Sequence, residues 1–209
     1  TFCLSTNGLM LPHYAEALAE LGVTHVTVTI NTIDPKIGAK IYKSISYQGV
    51  RLDGEKGADV LINNQLAGVR RLIELGIITK INTVMIKGIN DKHIEEVVKK
   101  VKDIGAFINN IMPLIPAPGS AFENMPLTSN KELNELRAAC EVHLKQMYHC
   151  KQCRADAIGT LDNDCSIEFS KRAEEKIKTF AKDVTYTFAV ATKNGVYIDE
   201  HFGHVCPKL

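Results

Sequence analysis

Three of the six cysteines fall within seventeen residues, HCKQCRADAIGTLDNDC at positions 149–165. Cys150 and Cys153 have the C-x2-C spacing with which two thiolates reach one metal ion or cluster, and Cys165, twelve positions further on, is placed to return as a third ligand. Three is an informative number. A structural zinc wants four closed ligands, whereas a 4Fe-4S cluster on three cysteines leaves one iron open to substrate or to an exogenous ligand. His149 is of the right type to complete a zinc site, and C-x2-C also suits a redox dithiol, so spacing alone leaves these readings open.

The other thiols divide by context. Cys140 sits on the apolar face of a helical pattern and reads as core. Cys3 stands on an apolar strand pattern close to that strand's carboxyl end, where ligands gather, and packing competes with a ligand role there. Cys206 takes no role, and His201 with His204 in EHFGH reads as loop surface or as a ligand pair.

The elements that must position these groups are set out by a repeated grammar. LAELG before VTHVTVTIN, LIELG before IITKINTVMI and VKDIG before AFINNIMPLI each join an amphipathic helix, a glycine cap and an apolar strand, at Gly22, Gly76 and Gly105. The helical faces are Leu18 and Leu21; then Leu61, Ile62, Leu66, Val69 and Ile73; then Ile94, Val97, Val98 and Val101. The strands CLSTN, HVTVTIN, KINTVMI and NNIMPLI are apolar enough to predict parallel strands covered on both faces. Four such strands with helical crossovers make a barrel segment or an open α/β sheet, with chemistry at the strand ends STNG, TIN, IKGIN and PLIPAPG. Asp34-Pro35, Asn90-Asp91 and Pro116 to Gly119 read first as turn and cap chemistry.

Ser129 and Glu132 form a capping box ahead of a helix whose face carries Leu133, Leu136, Cys140, Leu144 and Met147, running directly into the cysteine stretch. A charged helix at about 168–182 follows, then an alternating stretch that turns at Lys193-Asn194-Gly195. The domain expectation is 1–166 for the α/β unit with its cysteine segment, 167–183 for a helical linker, and 184–209 for the truncated start of another domain.

Composition sets outer limits. The chain has 209 residues, 45% of them hydrophobic, enough for a sizeable core. Twenty-five Lys and Arg against 24 Asp and Glu give +1 with no charge blocks, so nothing electrostatic points to nucleic acid or an anionic membrane, and Lys99, Lys100 and Lys102 are a solvated helix face. No apolar run approaches the ~18 residues of a membrane span. Sparse, clustered cysteines favour a reducing compartment and metal chemistry over disulfides. The start at TFCLSTNG reads as a strand already in progress, so the chain is expected to be an internal piece of something longer.

CLSTNGL, TVTINTIDP, KINTVMIKGIND, IPAPGSAFENMPL and HCKQCRADAIGTLDND, five motifs in order across nearly the whole chain, resemble the NifB family of radical S-adenosylmethionine enzymes of nitrogenase cofactor assembly. The tail TYTFAVATKNGVYIDEHFGH resembles the opening of a NifX-like cofactor-binding domain. The resemblance implies an α/β fold, the C-terminal part of a partial (β/α) TIM-like barrel followed by the start of an α/β NifX-like domain. It implies a lyase-type enzyme in which a first 4Fe-4S cluster cleaves S-adenosylmethionine to a 5′-deoxyadenosyl radical. Two further 4Fe-4S clusters are then fused around a carbide from the cofactor's methyl group, giving the precursor of the iron–molybdenum cofactor. Carried over by motif, Cys150 and Cys153 match cluster ligands, Cys165 the place of a third, and Cys3 a ligand of another substrate cluster. Thr29 and Ile86 fall where such enzymes touch S-adenosylmethionine.

The implied partners are iron–sulfur cluster donors and the carrier or scaffold proteins of nitrogenase assembly, in the cytoplasm. The C-x3-C-x2-C loop of the radical-generating cluster would precede residue 1, as would the glycine-rich cofactor segment, so this piece alone is not expected to perform the reaction. CPKL at the end departs from the strand expected after HFGH. Two rival readings stand beside this one: a MoaA-type enzyme with an auxiliary cluster, and a non-catalytic module in which the three cysteines and His149 close a structural zinc.

Overall fold

Each helix–glycine–strand junction folds into an αβ unit. The computed structural model describes residues 2–148 and, as backbone, 159–160 and 163–164, within two compact units at Thr1–His149 and Cys150–Leu209. In the first unit β1 (Phe2–Thr6) leads through α1 (Leu11–Glu20) to β2 (Val23–Thr29). After α2 (Pro35–Ile41), the hairpin β3 (Ser44–Tyr47) and β4 (Val50–Asp53), and the long α3 (Gly54–Glu74), the chain enters β5 (Ile78–Met85). α4 (Ile94–Ile104), β6 (Ile108–Pro113) and α5 (Asn130–Glu141) follow. The large sheet has the order β1-β2-β5-β6 with every pair parallel, as the four predicted strands require.

The core lies between this sheet and the helices α1, α3, α4 and α5. Val26, Val28 and Ile30 from β2 and the turn after it, Ile81 from β5 and Ile111 from β6 meet Leu11, Ala15, Val69, Leu72 and Leu133. On α4 the predicted face of Ile94, Val97, Val98 and Val101 is wholly buried, which at about 1.5–3 kcal/mol per side chain makes this helix a principal anchor. On α1 the expectation fails in part. Leu18 packs on the core, but Leu21 is the residue after the helix and is 73% exposed, while Leu11 and Ala15 carry the buried face. Gly68 lets α3 approach α1 closely: a Cβ there would stand 2.3 Å from the Cβ of Leu11.

The opposite sheet face corrects the sequence reading. Register puts Ser5, Thr27, Lys80 and Ile108 in one row and Thr29, Asn82 and Asn110 in the next, so this face is polar rather than apolar on both sides. Parallel pairing aligns the polar members of each alternating strand, as in a barrel interior that serves a ligand.

Three local features departed from expectation. The β3–β4 hairpin was unforeseen, although Gln48 (φ 50°) and Gly49 (φ 77°) between SISY and VRLD make a two-residue turn of the type that matches strand twist. The capping box forms as expected, but α5 stops at Glu141 instead of reaching the cysteines. Residues 145–147 then run parallel to the edge of β6: the Asn109 N–H donates to the Lys145 carbonyl at 3.0 Å and the Met147 N–H to the Asn109 carbonyl at 2.9 Å. An open edge with unsatisfied main-chain groups outcompetes continued helix. Leu144 and Met147 therefore both lie off the helix, although Leu144 is still buried in the core.

In the second unit β7 (Gly159–Thr160) pairs antiparallel with β8 (Asn163–Asp164). Among the described residues no helix is long and apolar enough to cross a membrane.

Candidate functional site

At the carboxyl ends of β1 and β2 the loops are tied together by buried amides. The Gln65 side chain, 1% exposed on α3, donates through Nε2 to the main-chain carbonyls of Asn7 (2.7 Å) and Thr29 (2.8 Å). Its neighbour Asn64 donates to the Leu9 carbonyl at 2.9 Å. The loop can lie this close because residue 8 is glycine. Its φ is +83°, and a Cβ would meet Val28 Cγ1 at 2.8 Å and Gln65 Cγ at 2.9 Å.

A second lattice joins β2 to β5. Asn31 accepts from the Val84 N–H (2.9 Å) and donates to the Tyr42 hydroxyl (3.1 Å). Asn90, wholly buried, donates through Nδ2 to the carbonyls of Asn31 and Val84, both at 2.8 Å, and accepts the Ile86 N–H at 2.7 Å. Asn90 is thus a structural clamp as well as the turn residue its sequence suggests, and Asp91 caps the turn by accepting from Gly88 N–H at 3.0 Å. His93 Nε2 accepts the Ile33 N–H at 3.3 Å, so in this contact that nitrogen carries no proton. Asp34 caps α2 by accepting from the Lys36 N–H at 2.8 Å.

Between these lattices lies a cavity of about 290 Å³, walled by Asn7, Leu9, Thr29 and Asn31 at the strand ends, by Leu61 and Gln65 of α3, and by Tyr42, Ser44, Ile45 and Ser46 from the end of α2 and the hairpin. Burial pushes the Tyr42 hydroxyl up to about 12, against the opposing effect of its hydrogen bond with Asn31, which keeps it a neutral partner at ordinary pH. With Leu9, Ile45 and Leu61 in the wall, amides and hydroxyls share the cavity with apolar side chains, a lining that suits a small molecule with both polar and apolar parts. A larger cavity of about 370 Å³ lies at the opposite, amino ends of β5 and β6, beside Ile77, Thr79 and Phe107. It is remote from the strand ends where chemistry gathers in such folds.

Among the residues singled out from sequence, Thr29 ends β2 and lines the cavity. Ile86 lies just past β5, 2% exposed, with its N–H held by Asn90 and its carbonyl accepting from the N–H groups of Ile89 and Asn90; it is not in the cavity wall. Cys3 is the second residue of β1, not near the strand's carboxyl end, and is exposed. Register pairs it with His25 on the polar face. The apolar motif around it suggested burial, but β1 is the edge of the sheet among the described strands. Cys140 is fully buried as expected, and burial, assisted by Glu95, raises its thiol to about 11. Among the described residues no group of three or more His, Cys, Asp or Glu side chains is placed to hold a metal ion. His149, Cys150, Cys153, Cys165, the 168–182 helix, the Lys193–Gly195 turn, His201, His204 and Cys206 lie outside the described residues.

Sequence reasoning did not find Gln65, Tyr42 or the α2–hairpin wall. The signal for the asparagines was present, since the strand ends STN, TIN and GIN each close on Asn7, Asn31 or Asn90.

Residues 1–101 match the family model described as the radical SAM superfamily. The chain is 43% identical, over 97% of its own length, to the FeMo cofactor biosynthesis protein NifB of Bradyrhizobium diazoefficiens, covering 48% of that protein. It is 41% identical to the protein of that name from Klebsiella pneumoniae (97% of this chain, 48% of the relative) and 42% identical to that of Azotobacter vinelandii (93% and 38%). The chain spans about half the length of the curated relatives it matches.

Proposed function

The chain belongs to the NifB family of the radical S-adenosylmethionine superfamily, and from that premise we propose that it is the part of a cofactor-assembly enzyme that binds S-adenosylmethionine at its strand ends and presents iron–sulfur substrate beside it. The proposed overall reaction is that of FeMo-cofactor biosynthesis: fusion of two 4Fe-4S clusters with insertion of a carbide. The observation that carries the reading is the cavity at the carboxyl ends of β1 and β2, one wall of which is built by the same STNG and TIN segments that carry the family motifs.

When bound, S-adenosylmethionine supplies a carbon-centred radical and a methyl carbon. This chain's own residues do the holding. Thr29 and Tyr42 border the cavity, Asn31 fixes the Tyr42 hydroxyl, and Gln65 and Asn90 lock the loops so that the site is preorganised. Ile86, just past β5 and outside the cavity wall, is the second proposed contact. The three-cysteine loop of the radical-generating cluster has no counterpart among the described residues, so no step is assigned to it.

Cys3 is the proposed ligand of one substrate cluster, and its exposure on the polar face supports access to so bulky a group. Cys150 and Cys153, with Cys165, are the proposed ligands of the other. One feature supports this. The β7–β8 pairing reverses the chain within the spacer between Cys153 and Cys165. Few thiolates per cluster leave irons free to be shared, which fusion requires and a closed four-ligand site would block. The segment at 184–209 is proposed to begin a NifX-like product-binding domain, and the partners to be cluster donors and carrier proteins in the cytoplasm.

Anaerobic reconstitution of the intact protein with iron and sulfide tests the reading. Thiolate-to-iron charge-transfer absorption is expected, with iron per chain reduced by about four atoms in Cys150→Ala and in Cys153→Ala. One tightly held zinc and no charge-transfer band after iron and sulfide are supplied would overturn it in favour of a structural zinc module.

A further inference from the structure

The polar sheet face carries one lysine. Along β1, β2, β5 and β6 the positions that register aligns on this face are Cys3, Ser5, His25, Thr27, Thr29, Ile78, Lys80, Asn82, Val84, Ile108, Asn110 and Met112, with no Asp or Glu among them. Lys80 stands in its middle row beside Thr27 and Ser5, one row below Thr29 and Asn82 and one row above the level of Cys3. Its side chain is half-buried. Among the described residues no carboxylate pairs with it. Its ammonium meets the thioether of Met147, with Nζ 3.9 Å from Sδ.

That arrangement is uncommon for a lysine. A partly desolvated ammonium is ordinarily paired, and a thioether is a weak, uncharged acceptor. The four strands could have carried a compensating carboxylate at any of the eleven other positions and carry amides, hydroxyls and uncharged or apolar side chains instead. The face is therefore electropositive at its centre and complementary to an anion that also accepts hydrogen bonds from Thr27 and Asn82.

We infer that Lys80 holds an anionic ligand against this sheet face, and that the ligand is the sulfide-bridged iron cluster substrate whose thiolate anchor is Cys3. The inference rests on the functional reading above. A 4Fe-4S cluster with thiolate ligands is a bulky anion whose sulfurs accept N–H hydrogen bonds, and the approach of Lys80 to the sulfur of Met147 is a geometry already suited to such contacts. Lys80 is a positioning residue: it neutralises the substrate and fixes it over the sheet while the iron stays free of a further protein ligand.

Two measurements on the intact anaerobic protein test this. In the first, reductive methylation with formaldehyde and cyanoborohydride is followed by mass spectrometry, before and after loading with iron and sulfide. Lys80 is expected to be modified in the cluster-free protein and at least fivefold less after loading, while the exposed Lys131 reacts equally in both. In the second, the reduction potential of the loaded clusters is expected to move negative in Lys80→Met and to return toward the original in Lys80→Arg, with Cys3→Ala removing the Lys80-sensitive signal.

Equal methylation of Lys80 in protein that has demonstrably taken up cluster, or an unchanged potential in Lys80→Met, overturns the inference and leaves the functional reading standing. Protection by S-adenosylmethionine alone, without iron and sulfide, overturns it by assigning Lys80 to that molecule's carboxylate. A protein that accepts no cluster at all overturns both.

Discussion

Replacing Asn90 by Ala should be among the most damaging single changes in the molecule, although the position lies in a loop. The side chain is wholly buried and makes three hydrogen bonds of 2.7–2.8 Å, to the Ile86 N–H and to the carbonyls of Val84 and Asn31. Truncation leaves the Ile86 N–H without its partner, which costs about 1–3 kcal/mol for a buried main-chain donor. The two carbonyls lose one bond each, at about 1 kcal/mol apiece. The total is about 3–5 kcal/mol, a large share of the 5–15 kcal/mol typical of a folded domain. Asn90→Asp should be no better. It keeps the acceptor for Ile86 but turns a carboxylate oxygen toward two carbonyls. Asn64→Ala, which removes a single bond from a half-buried side chain to the Leu9 carbonyl, should cost only about 1 kcal/mol. Urea unfolding followed by circular dichroism measures all three, with midpoints compared at unchanged m-value. If Asn90→Ala proved no more destabilising than Asn64→Ala, the argument that this lattice holds the ends of β2 and β5 together would be wrong.

The Glu132 carboxyl is held down to about 2, first by Lys87, whose Nζ lies 2.5 Å away, and then by the main chain and side chain of Ser129. Because the folded value lies below the ordinary one, its contribution to stability is complete above about pH 4.5 and is lost as pH falls toward 2. The urea midpoint of the parent should therefore exceed that of Glu132→Gln by a constant margin at pH 5–7, and the margin should shrink through that acid window. A margin independent of pH would show that the ion pair is not its source. The described cysteines should separate by reactivity: iodoacetamide at pH 8, on metal-free reduced protein, should modify exposed Cys3 and spare Cys140 until denaturant is added. Peptide mass mapping reads the outcome, and rapid labelling of Cys140 in the native state would contradict its burial.

The parallel αβ architecture was legible because three junctions repeat one local grammar, and local grammar is what helix caps and strand patterns encode. Ile94, Val97, Val98 and Val101 announce the buried face of α4 by spacing alone, and Ser129 with Glu132 announces the start of α5. The family motifs and the C-x2-C pair were likewise visible in the chain itself. Tertiary structure decided where contacts compete across long separations. The end of α5 depends on the open edge of β6, which no window around Glu141 contains. The exposure of Cys3 depends on β1 being an edge strand among the described residues. That Asn90 clamps two strands, that Gln65 reaches both Asn7 and Thr29, and that Lys80 stands on a face without carboxylates all follow from register and packing. Sequence fixes which groups can donate, accept or carry charge, and only the folded arrangement determines which of them water no longer reaches.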